Sequence, residues 1–148
     1  MTKTSERHTG ILNGYLEGES VFREWANNGF GDIVLERWRW GALTFIWQVP
    51  DRFVMPDGVV FGGYIASVAD HLTSMTAMSV LQHDDERFRT SRLETNFFRP
   101  VTKDRIRVEG RVVNASQRLI HVEADYFNSE EKIAVRVNAV QVRRRRSS

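Results

Sequence analysis

Asp70 and the glycine pair Gly62-Gly63 are the residues whose types and spacing point most directly to chemistry, with the carboxylate eight residues after the first glycine. The run Met55-Pro56-Asp57-Gly58-Val59-Val60-Phe61-Gly62-Gly63-Tyr64 leads into a helical pattern in which Val68, Leu72, Met75 and Met78 form an apolar line. Ser67, Asp70, His71 and Ser74 form a second, polar line on the same helix. Paired glycines allow an unusual or closely approached backbone. The amides that open the helix are left with free N–H groups at the positive end of its dipole. Such a terminus can hold a growing oxyanion, and a carboxylate two turns further on can handle a proton.

The elements that must position these groups read as follows. Ser20 caps a short helix through Val21, Phe22 and Trp25, which share a face, and Asn27-Asn28-Gly29-Phe30-Gly31 ends it. From Ile33 the period changes to two, and alternation through Trp38, Trp40, Gly41 and Trp47 predicts a hairpin closed by Pro50. The three tryptophans suit core or subunit interface. After a central helix of about 19 residues, near 28 Å long, four more strands follow. They start at Thr90, Arg105, Ile120 and Ile133, and a phase slip predicts a bulge near Asn138 or Ala139. The clean in/out alternation argues for an antiparallel sheet with one face covered. The expected fold is therefore α+β, with a six-stranded antiparallel sheet wrapped around one long helix and a short N-terminal helix.

Composition bounds the rest. A chain of 148 residues with 41% hydrophobic content has the size of one domain. The expected division is a flexible segment at 1–14, one folded domain at 15–142 and a basic disordered tail at 143–148. The net charge of +2 rests on four consecutive arginines at 143–146, without which the balance is slightly negative. No aromatic residues interleave with them, so nucleic acid is not an expected partner. No apolar run approaches a membrane span, and no secretory leader is apparent, so a cytoplasmic protein without membrane partners is expected. Cysteine is absent, which removes thiolate chemistry and zinc-thiolate sites. His8, His83 and His121 lack ligand spacing, so no metal is expected. There is no Gly-x-Ser-x-Gly elbow and no phosphate-binding or dinucleotide loop.

Three pieces occur in order: Gly62-Gly63 with Asp70, then Leu93-Glu94-Thr95-Asn96-Phe97-Phe98-Arg99-Pro100-Val101, then a pair of alternating strands. Together they resemble the hotdog-fold acyl-CoA thioesterases of the phenylacetic-acid-degradation (PaaI-like) type, over roughly residues 43–142. The resemblance implies that Gly62, with Gly63, donates backbone N–H to the thioester oxygen, and that Asp70 is the catalytic base or nucleophile. It implies that Thr90 or Ser91 supports the site from a partner subunit. Phe61, Met55, Ser74, Thr90, Ser91 and Arg99 are assigned to substrate contact on the same basis. Arg99, Lys103, Arg105 and Arg118 are candidates for the coenzyme A phosphates. Phe61 stands where the family has histidine and Met55 where it often has Asn or Gln, and neither side chain can position a water.

The implied activity is hydrolysis of an acyl-CoA thioester to free acid and coenzyme A, which is substrate and not cofactor, in a homodimer or homotetramer. Two alternatives stay open. One is an acyl-CoA or hydrophobic-ligand binder without turnover. The other is a hotdog hydratase or dehydratase, for which His71 beside Asp70 is the only hint.

Overall fold

A computed structural model describes residues 2–146. Helix α1 (Glu6–Glu17) and helix α2 (Val21–Phe30) precede a hairpin of β1 (Asp32–Arg39) and β2 (Ala42–Gln48). The central helix α3 (Gly62–Met78) follows, then β3 (Glu86–Phe97), β4 (Arg105–Ala115), β5 (Leu119–Phe127) and β6 (Ile133–Arg145). The strands form one sheet in the order β1-β2-β4-β5-β6-β3, antiparallel throughout.

Helix α3 lies on one face of this sheet, against β2, β3, β4, β5 and β6. Ile65, Val68, Leu72 and Met75 are buried against Phe45, Val108, Val122 and Val137. At 17 residues the helix is about 25 Å long. Its buried hydroxyls return to the helix itself, Thr73 to the Ala69 carbonyl and Thr76 to that of Leu72. Gly110 on β4 lets the helix approach closely, because a Cβ there would overlap Thr76. The outer face carries cross-strand ion pairs between Arg111 and Glu123 and between Arg136 and Asp125.

The hairpin forms where the alternation places it, with a two-residue turn at Trp40-Gly41 and Gly41 at φ 74°. A bulge at Glu36 changes the phase of β1. Trp47 is fully buried and donates to the Phe30 carbonyl at 2.8 Å. Trp38 and Trp40 pack partly buried against the same core.

Three expectations change. Most of the segment assigned as flexible, 1–14, belongs to α1, which Ser5 caps by accepting from the His8 amide and Gly18 ends at φ 82°. Leu12 and Tyr15 are buried, so the helix is held by packing that its polar composition does not advertise. The second change concerns the strand-six bulge. Residues 135, 137, 139, 141 and 143 all face the helix side, so no slip occurs at Asn138 or Ala139. The irregularities fall beside Ala134 and at Ser91. Val140 and Val142 point to the outer face, and their apolar character imitated a phase change.

The third change concerns the tail. Strand β6 runs to Arg145, and Arg143 is buried with its guanidinium on Glu86 at 2.7 Å and on the Val80 carbonyl. Burial pushes Glu86 up, but hydrogen bonds from Arg143 and from the Gln82 and His83 amides outweigh it and hold the carboxyl below its ordinary value. Ser147 and Ser148 lie outside the described residues. Among the described residues no helix is long and apolar enough to cross a membrane.

Candidate active site

The loop before α3 is a tight hairpin. The Met55 amide donates to the Val59 carbonyl at 2.9 Å, Gly58 takes φ 88°, and Asp57 Oδ1 accepts from the Val59 amide. Bridges from Val54 to Val60 and from Val59 to Thr102 anchor it. Phe61 then caps α3 without a side-chain bond. Gly62 and Gly63 adopt ordinary helical φ, so their use is close approach and not an unusual backbone. A Cβ at Gly62 would meet the Phe97 ring at 3.3 Å, and one at Gly63 would meet the Phe61 ring at 2.8 Å. Among the described residues neither glycine amide has an acceptor. Two N–H donors therefore stand open at the positive end of a long helix.

Gly62 lines a cavity of about 420 Å³ with Met55, Arg99, Phe97 and Phe98. Arg99 bonds the Ile133 carbonyl at 2.6 Å. Phe61 is exposed, and the Tyr64 ring that it touches stacks on Phe53.

Asp70 is exposed on the opposite stretch of α3, where Thr90 donates its hydroxyl to Oδ1 at 2.7 Å. Among the described residues its Oδ2 makes no bond. Of the two expected candidates, Thr90 makes this bond within the chain. Ser91 sits at the β3 bulge, away from Asp70. Ser67 returns its hydroxyl to the Gly63 carbonyl at 2.9 Å and gives nothing to Asp70.

Asp70 lines a second cavity, of about 700 Å³, with His71, Ser74, Trp25, Phe30 and Phe88. The apolar face of α2 is thus not core: Trp25 is 60% exposed and overhangs this cavity. His71 is buried and bonded through Nε2 to the Tyr15 hydroxyl at 3.0 Å. Burial pushes its pKa down to about 4 against an opposing pull from the Asp70 charge, so the ring is neutral near pH 7. It does not bond Asp70. Tyr15, Trp25 and Phe30 are functional candidates that sequence reasoning did not connect to the site. They belong to α1 and α2, 40 or more residues before Asp70, and no local pattern links them.

The four cations proposed for phosphates do not converge. Arg105 opens β4 while Arg118 lies in the turn beyond its far end, and Lys103 is paired with Asp51 at 2.5 Å. Among the described residues no group of three His, Asp or Glu side chains is placed to hold a metal.

An antiparallel sheet wrapped on one helix, with open amides at the helix start and a carboxylate two turns on, is the arrangement of a hotdog thioester-handling protein. The sequence model of the Thioesterase superfamily matches residues 57–135, and the chain belongs to that family of thioester hydrolases. A protein of Saccharolobus solfataricus named as an esterase is 28% identical over 86 residues, which span 58% of this chain and 60% of that one. A phenylacetic acid degradation-related protein of Ralstonia eutropha superposes with a TM-score of 0.79 at 22% identity, over 89% of this chain and 98% of its own. A thioesterase from Streptococcus pneumoniae solved with coenzyme A gives a TM-score of 0.76 at 17% identity, over 84% and 94%. The fold is thus the hotdog fold of the PaaI-like type.

Proposed function

We propose that this protein hydrolyses acyl-CoA thioesters to the free acid and coenzyme A, in sites completed between two copies of the chain. The observation that carries the reading is the pairing of open Gly62 and Gly63 amides with an Asp70 carboxylate whose Oδ1 is held by Thr90 while Oδ2 is left to work. The amides hold the carbonyl oxygen as it becomes an oxyanion. Asp70 takes a proton from the attacking water and returns it to the departing coenzyme A thiolate as the C–S bond breaks.

The eight residues from Gly62 to Asp70 span about 12 Å of helix, and each group opens on a different cavity. Both must contact one thioester from opposite sides. A second copy, antiparallel to the first, brings the amides of one helix to the carboxylate of the other. The free edge of β3 supports this, since a twelve-residue edge strand is a template for a second sheet. We assign a homodimer or a homotetramer built from it. A coenzyme A thioester substrate supports a cytoplasmic location.

Thiol release from a panel of acyl-CoAs tests the reaction, with no background because the chain has no cysteine. Equal release by wild type and Asp70→Asn overturns the catalytic assignment, and binding without release from any thioester supports a binder instead. Mixing Gly62→Pro with Asp70→Asn tests the shared site. Random pairing in a two-fold dimer restores about a quarter of the activity, whereas sites confined to one chain recover none.

A further inference from the structure

The helix-facing line of β6 runs Val137, Ala139, Gln141 and Arg143, and one member of it has no evident place there. Gln141 is fully buried, yet neither its Nε2 nor its Oε1 has a hydrogen-bond partner among the described residues. An amide left unpaired in a core costs free energy that an apolar side chain of similar size avoids. Packing alone therefore gives no reason for a glutamine at this position.

The neighbours narrow down what the amide can serve. Along β6, Arg143 is already committed to Glu86 and to the Ser116 and Val80 carbonyls. Across the sheet, the register pairs Gln141 with Ile120 of β5, whose side chain has no polar atom, and with Thr90 of β3. Directly opposite residues present their side chains on one face with Cβ atoms about 5 Å apart, a gap that a glutamine spans by turning about its own side-chain bonds. Thr90 is the residue that bonds Asp70.

The Thr90 hydroxyl fixes which amide atom fits. It spends its only proton on Asp70 Oδ1 at 2.7 Å and accepts nothing among the described residues. Only its lone pairs remain, and only a donor can use them. The amide nitrogen of Gln141 is such a donor, and its oxygen is not. Asp70 is exposed, so water competes for the Thr90 proton from the solvent side. A donor from the core side holds the lone pairs and leaves the proton directed at the carboxylate, and each bond in such a chain polarises the next.

We propose that Gln141 is a positioning residue of the site: its amide nitrogen donates to Thr90 Oγ1 and so turns the Thr90 hydroxyl towards Asp70. This rests on the reading of Asp70 as the hydrolytic carboxylate. The amide then serves the site at a cost to the core, and that opposition makes the role measurable.

Gln141→Met keeps the length of the side chain and removes both polar atoms. Its urea midpoint is expected to be no lower than that of wild type, while kcat falls about three- to tenfold at unchanged KM, the worth of one neutral hydrogen bond. A lower midpoint with unaltered kcat marks a glutamine that only packs and overturns the proposal. In a Thr90→Val background, Gln141→Met is expected to lower kcat no further, because the amide acts through the hydroxyl. A second loss of the same size there overturns the route through Thr90.

If Gln141→Met leaves kcat unaltered while Asp70→Asn abolishes thiol release, hydrolysis stands and the inference falls. If wild type cleaves no thioester, the hydrolytic reading fails, and unfolding alone still decides the contact. Gln141→Met is expected to raise the urea midpoint more in Thr90→Val, where the amide has lost its acceptor, than in wild type. Equal changes in the two backgrounds overturn the pairing of amide and hydroxyl.

Discussion

Thr90 donates its hydroxyl proton to Oδ1 of Asp70 over 2.7 Å, tying the edge strand β3 to the middle of the central helix at the carboxylate. Because only one oxygen is held, the bond fixes the orientation of the group without occupying it. A hydrogen bond to a charged acceptor contributes about 1.5–3 kcal/mol. Thr90→Val, which keeps the shape and removes the donor, is expected to lower kcat about tenfold or more with little change in KM. Thr90→Ser restores most of it. Steady-state thiol release measures both, and an unaltered kcat in Thr90→Val shows that the bond does no positioning.

The glycine amides are tested by removing one N–H without breaking the helix. Gly62 is the first residue of α3 and Phe61 before it is extended, at φ −61° and ψ 131°. Proline fits both conditions. Gly62→Pro is expected to fold and to lose about 100- to 1000-fold in kcat, the usual cost of one oxyanion donor. Gly62→Ala keeps the amide and adds only a methyl against the Phe97 ring, so its loss is much smaller. Similar losses in the two variants assign the effect to crowding and not to the missing donor.

Arg143 and Glu86 form a buried pair, 8% and 6% exposed. Removing one partner strands the other charge, so Arg143→Ala or Glu86→Gln is expected to destabilise the fold by about 3–5 kcal/mol. Replacing both with apolar residues of similar volume recovers most of the loss. Urea unfolding midpoints provide the check, and truncation after Val142 should mimic Arg143→Ala. An unshifted midpoint in the single variants removes the arginine from the core.

His71 makes stability depend on pH. Its pKa falls from 6.5 to about 4 on folding, chiefly through burial. The unfolded chain therefore binds the extra proton first as pH drops. This contribution is complete above pH 6.5, is lost as pH falls towards about 4, and is flat below. Its size is about 3 kcal/mol. Asp70 on the same helix and Tyr15 on α1 are the titratable groups facing the ring, while α2 and β3 present Trp25, Phe30 and Phe88. The unfolding free energy of wild type minus that of His71→Phe should carry this slope between pH 4 and 6.5. A difference without slope shows that the ring is not held neutral.

The central helix and the hairpin were legible because their signals are local. Apolar residues at helical spacing and a turn glycine report on neighbours a few positions away. The strand-six slip was misread because Val140 and Val142 are apolar on a face that the helix does not cover. Arginine at 143 was misread for the opposite reason, since a charge enters the core only when a partner such as Glu86, 57 residues earlier, is there to meet it.

Residue type and order by themselves determined that an amide-opened helix start and a carboxylate share one helix eight residues apart, inside an antiparallel α+β frame. Helical rise turns that spacing into a distance, and nothing further along the chain alters it. Only the tertiary structure decided that Thr90 and not Ser91 bonds Asp70, that α1 is a packed helix, and that Tyr15 meets His71 beside the cavity. Each of those depends on groups far apart in sequence that meet only when the sheet closes around the helix, and burial then fixes their protons.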